Sequence, residues 1–152
     1  MGMMCSVATA EVALVATTAK TVLGLKIPAN RRALLTAWGI YFDGVSVTEA
    51  PVVVELHKDS NATAHTGTAL TEVKYDAAQP QSIATVASHT VTANTTDGGT
   101  IQSIEVHPQA GYEKSYVPGR CPIFGSSAQE GLYWVVTAPS VCNCIMFAEW
   151  EE

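Results

Sequence analysis

The sequence is poor in charge. Asp, Glu, Lys and Arg make up 14% of its 152 residues, against about a quarter in an average soluble domain. Basic residues are the scarcer kind, with 8 Lys and Arg against 14 acidic residues, and the net charge is −6. Because proteins that bind nucleic acid need clustered Lys and Arg to displace counterions, we predict no nucleic-acid partner.

Long hydrophobic runs are also missing. The chain has no run of about 18 apolar residues, the minimum expected of a membrane-spanning helix. Its first residues are apolar in character but lack a basic region, and Glu11 interrupts them. We therefore predict no membrane partner and no signal peptide.

Motifs of well-known catalytic chemistry are absent as well. The sequence contains no G-x-S-x-G nucleophile turn, no glycine-rich phosphate loop and no H-E-x-x-H metal motif. Its four histidines are scattered singly along the chain. These absences predict a protein that is not an enzyme, with no catalytic residue and no cofactor.

The four cysteines raise the possibility of a Cys₄ zinc site. Structural zinc sites usually pair their thiols as C-x₂₋₄-C, whereas this chain has one C-x-C, Cys142 and Cys144, with Cys5 and Cys121 far away in sequence. An extended strand offers another interpretation, since alternate residues share a face. That face would be wholly apolar and would comprise Cys142, Cys144, Met146, Ala148 and Trp150. We therefore predict no metal site and two reduced thiols that pack in a core.

What the sequence does contain is β-type residues in short runs between turn formers. Thr is frequent, with 17 residues, and no segment carries a full helical stripe of apolar side chains. Thr9–Leu25 is predicted as two strands or one bent strand. The other predicted strands are 32–43, 51–59, 70–75, 85–92, 100–107, 113–117, 131–137 and 141–150. About 8–10 short antiparallel strands with little or no helix predict an all-β fold, a single jelly-roll-like β-sandwich.

Alternation within two of these strands predicts which side chains share a face. In 32–43 one face would carry Leu34, Thr36, Trp38, Ile40 and Phe42. In 51–59 the corresponding face would carry Val52, Val54 and Leu56.

The predicted organisation is an N-terminal arm, residues 1–8, followed by one sandwich domain, residues 9–152. The arm is uncharged and rich in methionine, which suits an adaptable contact through Met3 and Met4. A second predicted contact surface lies in "GYEKSYVPGRCPIFG", residues 111–125. Tyr and Arg are favoured at protein interfaces, and this segment supplies Tyr112, Tyr116, Arg120 and Phe124. The alternative is that these side chains cover the end of their own domain.

Three stretches together carry a resemblance to a known class. They are "FDGVSVTEAPVVVEL", "VHPQAGYEKSYVPGR" and "EGLYWVVTAPSVCNCIMFAEWEE". In this order they resemble small virion proteins of tailed bacteriophages, single β-sandwich modules of the capsid cement or decoration class. The resemblance covers most of residues 9–152. The chain departs from the class in the cysteines of its last strand.

The resemblance implies a structural protein that binds and stabilises the phage head shell. Its partners would be the major capsid protein and copies of itself, as a homotrimer or another closed ring. It would sit on the capsid surface of the virion after assembly in the host cytoplasm. Two alternatives stay open at this point: a neck, tail or fibre-adaptor module, and a carbohydrate-binding sandwich. The second would use Trp38, Tyr112, Tyr116 or Trp134 as stacking platforms.

Overall fold

A computed structural model of the chain describes residues 2–45, 50–79, 86–125, 128 and 130–152, with Val86 described by its backbone alone. Within these ranges the chain forms thirteen strands and no helix, hence no helix that could cross a membrane. The strands are β1 (Met4–Ala8), β2 (Val12–Leu14), β3 (Ala19–Lys26), β4 (Ala33–Phe42), β5 (Val52–Asp59), β6 (Thr66–Leu70), β7 (Val73–Lys74), β8 (Val86–Ala93), β9 (Asp97–Val106), β10 (Gly111–Ser115), β11 (Ile123–Phe124), β12 (Gly131–Thr137) and β13 (Cys142–Glu151).

The strands form two antiparallel sheets. Sheet A has the order β10-β4-β13-β1-β7, with β11 also paired to β4 and β2 to β13. Sheet B has the order β6-β8-β3-β12-β5-β9. Successive strands change sheet, from β3 to β4 to β5 and from β12 to β13, so the two sheets enclose one core. The prediction of an all-β sandwich is confirmed.

The last strand, β13, lies at the centre of sheet A between β4 and β1. Its inward face is the one that the alternation predicts, and every member of it is buried. The core is dominated by three tryptophans, each at most 1% exposed. Trp38 from sheet A meets Trp134 from sheet B with their ring centroids 6.0 Å apart, so the two sheets are joined through aromatic packing.

The shared face predicted for β4 is correct for the second half of the strand and wrong for the first half. Trp38 and the alternate residues after it are buried, but Leu35 lies in the core in place of Leu34. The reason is a bulge: Ala37 and Leu35 pair with consecutive residues of β13, which leaves Thr36 as an extra residue. One extra residue moves the alternating side chains to the opposite faces of the strand, and a period-two pattern does not reveal such a bulge. In β5, the prediction for Val52 and its alternate neighbours is confirmed.

The predicted N-terminal arm is wrong for residues 4–8, because they form β1 inside sheet A. Met4 pairs with Glu151 of β13, and β1 pairs with β7 on its other side. Cys5 and Val7 point into the core, so this strand contributes apolar burial as well as backbone hydrogen bonds. The N-terminal segment is thereby part of the sandwich.

Strand boundaries elsewhere follow the predictions to within a few residues, except for β6, β7 and β11, the last of which was not predicted. The segment Thr9–Leu25 does form two strands, β2 and β3, joined by a turn in which Thr17 has φ 59°. The polar segment before Leu70, expected as a loop, contributes β6 at the edge of sheet B. The predicted strand 70–75 is therefore divided between the two sheets. Its first residue ends β6 in sheet B, and β7 lies in sheet A. Thr85, the first residue of the predicted strand 85–92, lies outside the described residues.

Candidate functional site

The two methionines predicted as contacts occupy different environments. Met3 is buried in the core, and its backbone N–H donates to the carbonyl of Glu152 at 2.9 Å. Met4 is partly exposed and lies on the outer side of sheet A. Of these two side chains, only that of Met4 faces outwards.

Tyr112 and Tyr116 close the gap between the sheets beside β10. Both are partly buried against the core. The indole N–H of Trp38 donates to the hydroxyl of Tyr116 at 3.2 Å, and the Gln102 amide of β9 donates to the hydroxyl of Tyr112 at 3.0 Å. Tyr116 in turn donates to the Gln102 side-chain oxygen at 3.3 Å. Their hydroxyls therefore form hydrogen bonds within the domain.

The other two predicted contacts also differ from each other. Phe124 lies in the core on β11, which pairs with β4 in sheet A, whereas Arg120 is exposed in the turn after β10. The structure thus brings the predicted tyrosines together, buries Phe124 and leaves Arg120 exposed. Participation of any of these residues in an interface stays a prediction.

The cysteines do not converge on one point. Cys5 lies opposite Trp150, six residues along β13 from Cys144, which corresponds to about 20 Å on an extended strand. Burial raises the pKa of the Cys144 thiol to about 12 and also raises that of Cys142, so both are protonated at neutral pH. Over the described part of the chain, no three His, Cys, Asp or Glu side chains are placed to hold a metal ion.

The tryptophans named for carbohydrate stacking are both in the core. Trp38 and Trp134 are 1% and 0% exposed. A sugar ring needs an accessible aromatic face, so neither indole is available as a platform without unfolding. Tyr112 and Tyr116 keep only part of their surface.

A buried polar cluster on the outer side of sheet B was not predicted from the sequence. Its centre is Asp59, at the end of β5. The carboxylate oxygen Oδ1 accepts the backbone N–H groups of Asn61 and Thr96, each at 2.9 Å. The other oxygen, Oδ2, contacts Nζ of Lys26 at 3.2 Å and Nε2 of His65 at 2.6 Å. All three ionisable side chains of this Lys26–Asp59–His65 cluster are 0% exposed.

Two glycines make room for this cluster. Gly131 of β12 lies between Lys26 and Asp59 in the sheet, and a Cβ there would lie 2.8 Å from Cγ of Lys26. A Cβ on Gly24 would lie 2.3 Å from Nδ1 of His65, so the imidazole rests directly on the backbone of β3. The cluster can therefore be buried only because both of these positions in the middle of the sheet carry no side chain.

The electrostatics of the cluster follow from its hydrogen bonds. Although burial opposes ionisation, the hydrogen bonds to His65, Thr96, Asn61 and Lys26 lower the pKa of Asp59 to about 2. Burial lowers the pKa of Lys26, an effect that its contacts with Asp59 oppose. In the resting protein Asp59 is a carboxylate with four donors around it.

A second histidine, His57, lies next to this cluster on the same face. Its ring stacks on Tyr133 with centroids 5.0 Å apart, and its Nδ1 is 3.1 Å from a carboxylate oxygen of Asp97. Burial and the nearby carboxylates raise the pKa of Tyr133 to about 12. This pair extends the polar surface of sheet B towards β9.

The outer side of sheet A is different, because it carries several exposed apolar and aromatic side chains. Its apolar members, which we call the open face, are Met4, Tyr41, Val73, Tyr75, Ile145 and Phe147. Tyr41 is 45% exposed and Ile145 is 46% exposed. Their neighbours in the cross-strand rows are small: Gly111 beside Tyr41, and Gly39 beside Phe147.

These two rings lie flat on the sheet. A Cβ on Gly111 would lie 2.2 Å from the Tyr41 ring, and one on Gly39 would lie 2.3 Å from the Phe147 ring. The aromatic side chains thus cover the glycine backbone and present their faces outwards. A flat, preformed apolar surface results.

Glutamates supply the charge in the same cross-strand rows. Glu113 accepts a hydrogen bond from the hydroxyl of Tyr41, and Glu149 accepts one from the hydroxyl of Tyr75. At one corner of the face, a pocket of about 120 Å³ opens between Tyr41 and Ile145, and Glu11 and Asp43 also line it. The open face therefore combines apolar side chains with carboxylates, Glu149 on the central strand β13 and Glu113 on the edge strand β10.

Comparison with known proteins gave no match. No protein-family model, no curated protein and no solved structure is significantly similar to this chain.

Proposed function

We propose that this chain is a structural virion protein of the capsid decoration type, which binds the phage head shell through the open face of sheet A. The resemblance in sequence suggests the class, and the open face is the observation that carries the proposal. Exposed aromatic and aliphatic side chains on a flat sheet are what a broad protein contact requires, since apolar area removed from water contributes most of the binding free energy.

The composition of the face indicates the chemistry of the partner. Its carboxylates, Glu113 and Glu149, favour a partner surface that presents Lys or Arg among apolar side chains. The corner pocket has the same character, because Tyr41 and Ile145 would pack on the aliphatic stem of a Lys or Arg while Glu11 lies near its charged end. We assign this partner surface to the major capsid protein.

Self-association is the second part of the proposal. A decoration protein that matches the local symmetry of a shell forms closed rings, and a homotrimer is the simplest of them. Binding to the assembled shell and not to its free subunits stabilises the shell by mass action. The protein would then lie on the capsid surface and need no catalytic group.

The proposal is tested by comparing heads that carry the protein with heads that lack it. Both are exposed to increasing denaturant, and DNA release is measured. Heads with the protein should release DNA at a higher denaturant concentration, and equal release points would contradict a cementing role. Electron cryomicroscopy of the same particles separates this function from the neck, tail or fibre alternative, because density on the tail and none on the head would favour the latter.

A further inference from the structure

We propose that Lys26 and Asp59 become joined by an intramolecular amide bond between Nζ of the lysine and Cγ of the aspartate, with His65 as the proton donor to the leaving oxygen. The nucleophile and the carboxyl group are already in contact, with Nζ 3.2 Å from Oδ2. They come from β3 and β5, which are separated in the sheet by β12. The bond would tie together two strands that are not neighbours.

The carboxyl group of Asp59 has the surroundings of an acyl-transfer site. The backbone N–H groups of Asn61 and Thr96 both point at Oδ1, each at 2.9 Å. Two such donors are the arrangement that stabilises the negative oxygen of a tetrahedral intermediate. They leave Oδ2 as the oxygen that departs.

His65 is placed on that departing oxygen. Its Nε2 lies 2.6 Å from Oδ2, and because a carboxylate oxygen can only accept, Nε2 donates. Its Nδ1 is buried and has no hydrogen-bond partner among the described residues. Among the described residues the Asp59 carboxyl group is thus the one hydrogen-bond partner of this imidazole, and the two groups can exchange a proton.

The reaction balances without an oxidant or a co-reactant. A proton passes from the Lys26 ammonium to Oδ2, and the neutral amine attacks Cγ. The negative charge develops on Oδ1 between the two N–H groups. The new Nζ–Cγ bond persists while the Cγ–Oδ2 bond breaks. Oδ2 leaves with two protons as one water molecule. His65 supplies one of these protons to Oδ2 and recovers a proton from Nζ.

The buried position favours this step in two ways. Held in contact, the two groups react as one molecule, and well-oriented intramolecular reactions reach effective concentrations of about 10⁵ M or more. Since neither side chain is exposed to solvent, water has no access to reverse the bond. Burial also lowers the pKa of Lys26, which favours the neutral amine. The low pKa of Asp59 has the opposite effect, because it disfavours the protonated carboxyl group, and the amide bond therefore forms slowly after folding.

The expected consequence is covalent stability of the kind that a disulfide provides. A bond from β3 to β5 closes a loop in the unfolded chain and reduces its entropy. It does so in a reducing environment, where the thiols of this chain stay reduced. The inference is independent of the proposed function, because its test uses the isolated protein.

The test is the intact mass of the protein under denaturing conditions, measured after purification and again after prolonged incubation of the folded protein. The bond predicts a mass lower by one water molecule, together with a tryptic fragment in which the Lys26 and Asp59 peptides are joined. Full sequence mass after incubation of the folded protein would overturn the proposal.

Matched variants identify the site of the loss. Lys26→Arg should keep the full mass, since a guanidinium does not attack, whereas the exposed neighbour variant Lys58→Arg should lose water as the wild type does. His65→Gln should slow the loss several-fold.

Aspartate followed by glycine, as at Asp97, can also lose water by forming a cyclic imide. Loss of water in Lys26→Arg would therefore assign the wild-type change to such a site and overturn the proposal.

Discussion

The imidazole of His65 occupies the space that a side chain at position 24 would need, because a Cβ on Gly24 would lie 2.3 Å from Nδ1. This contact holds the segment after β5 down on the outer side of sheet B. It also keeps His65 against Asp59, so one missing side chain in β3 determines the geometry of the buried cluster.

We predict that Gly24→Ala lowers the free energy of unfolding by about 1–3 kcal/mol, the usual cost of overpacking. The added methyl group displaces the imidazole and disturbs its contact with Asp59. Chemical denaturation measures the change, and a double-mutant cycle with His65→Ala provides the control. The two losses should be less than additive, because the ring that causes the clash is absent from the double variant. Full additivity would show that Gly24 acts independently of His65.

A substitution at the bulge of β4 is predicted to raise the free energy of unfolding. The hydroxyl of Thr36 is buried and has no hydrogen-bond partner among the described residues. Thr36→Val should therefore raise the free energy of unfolding by about 1 kcal/mol, because a methyl group replaces an unsatisfied polar group of similar size. Thermal or denaturant unfolding measures this. The exposed substitution Thr68→Val in β6 should change stability by less than about 0.5 kcal/mol, and an equal gain there would argue against the explanation.

The buried thiol of Cys144 predicts alkaline instability. Its pKa is raised to about 12 in the folded protein, above an ordinary value of 9.0. Between these two pH values the folded state binds more protons than the unfolded state, so stability falls as pH rises. Cys144→Ala should make this decline shallower. Denaturant titrations at several pH values measure the slope, and identical slopes for the wild type and Cys144→Ala would contradict the assignment.

The same burial predicts a difference in thiol reactivity. A protonated, buried thiol is a poor nucleophile, so an alkylating reagent at neutral pH should label Cys121 and leave Cys144 unmodified. Cys144 should react only when denaturant unfolds the chain. Mass spectrometry of the labelled peptides reads both sites, and equal labelling of the folded protein would show that β13 opens readily.

The architecture could be predicted from the sequence where period-two alternation is unbroken. In β13 the alternation identified the buried thiols and Trp150, because that strand pairs on both sides without an extra residue of its own. In β4 it failed at Leu34, since a bulge depends on how two strands fit together and has no signature in one of them. The arm at residues 1–8 failed for a related reason: an apolar pentapeptide becomes a strand only because a vacant edge of β13 lies beside it.

The buried cluster could not be predicted, for reasons of distance along the chain. Lys26, Asp59 and His65 sit in three unremarkable contexts, and no spacing rule connects them. Their association depends on the order of strands in sheet B and on Gly131 lying between two of them.

The open face had a partial signal in the sequence, since Tyr41 and Ile145 occupy the outward positions of strongly apolar strands. An apolar residue at an outward position of a predicted strand is the pattern that would have indicated it.

The role of the open face is tested most directly by binding to heads assembled without the protein, with Ile145→Asp compared against Ile101→Asp. The two isoleucines are similarly exposed, 46% and 43%, but Ile101 lies on β9 at the edge of sheet B. A carboxylate at position 145 removes apolar contact and adds to the negative charge of the face, so we expect at least about a tenfold loss of affinity, or roughly 1.4 kcal/mol. Ile101→Asp should bind as the wild type does. Unchanged binding by a folded Ile145→Asp protein, or failure of the wild type to bind the heads at all, would contradict the account.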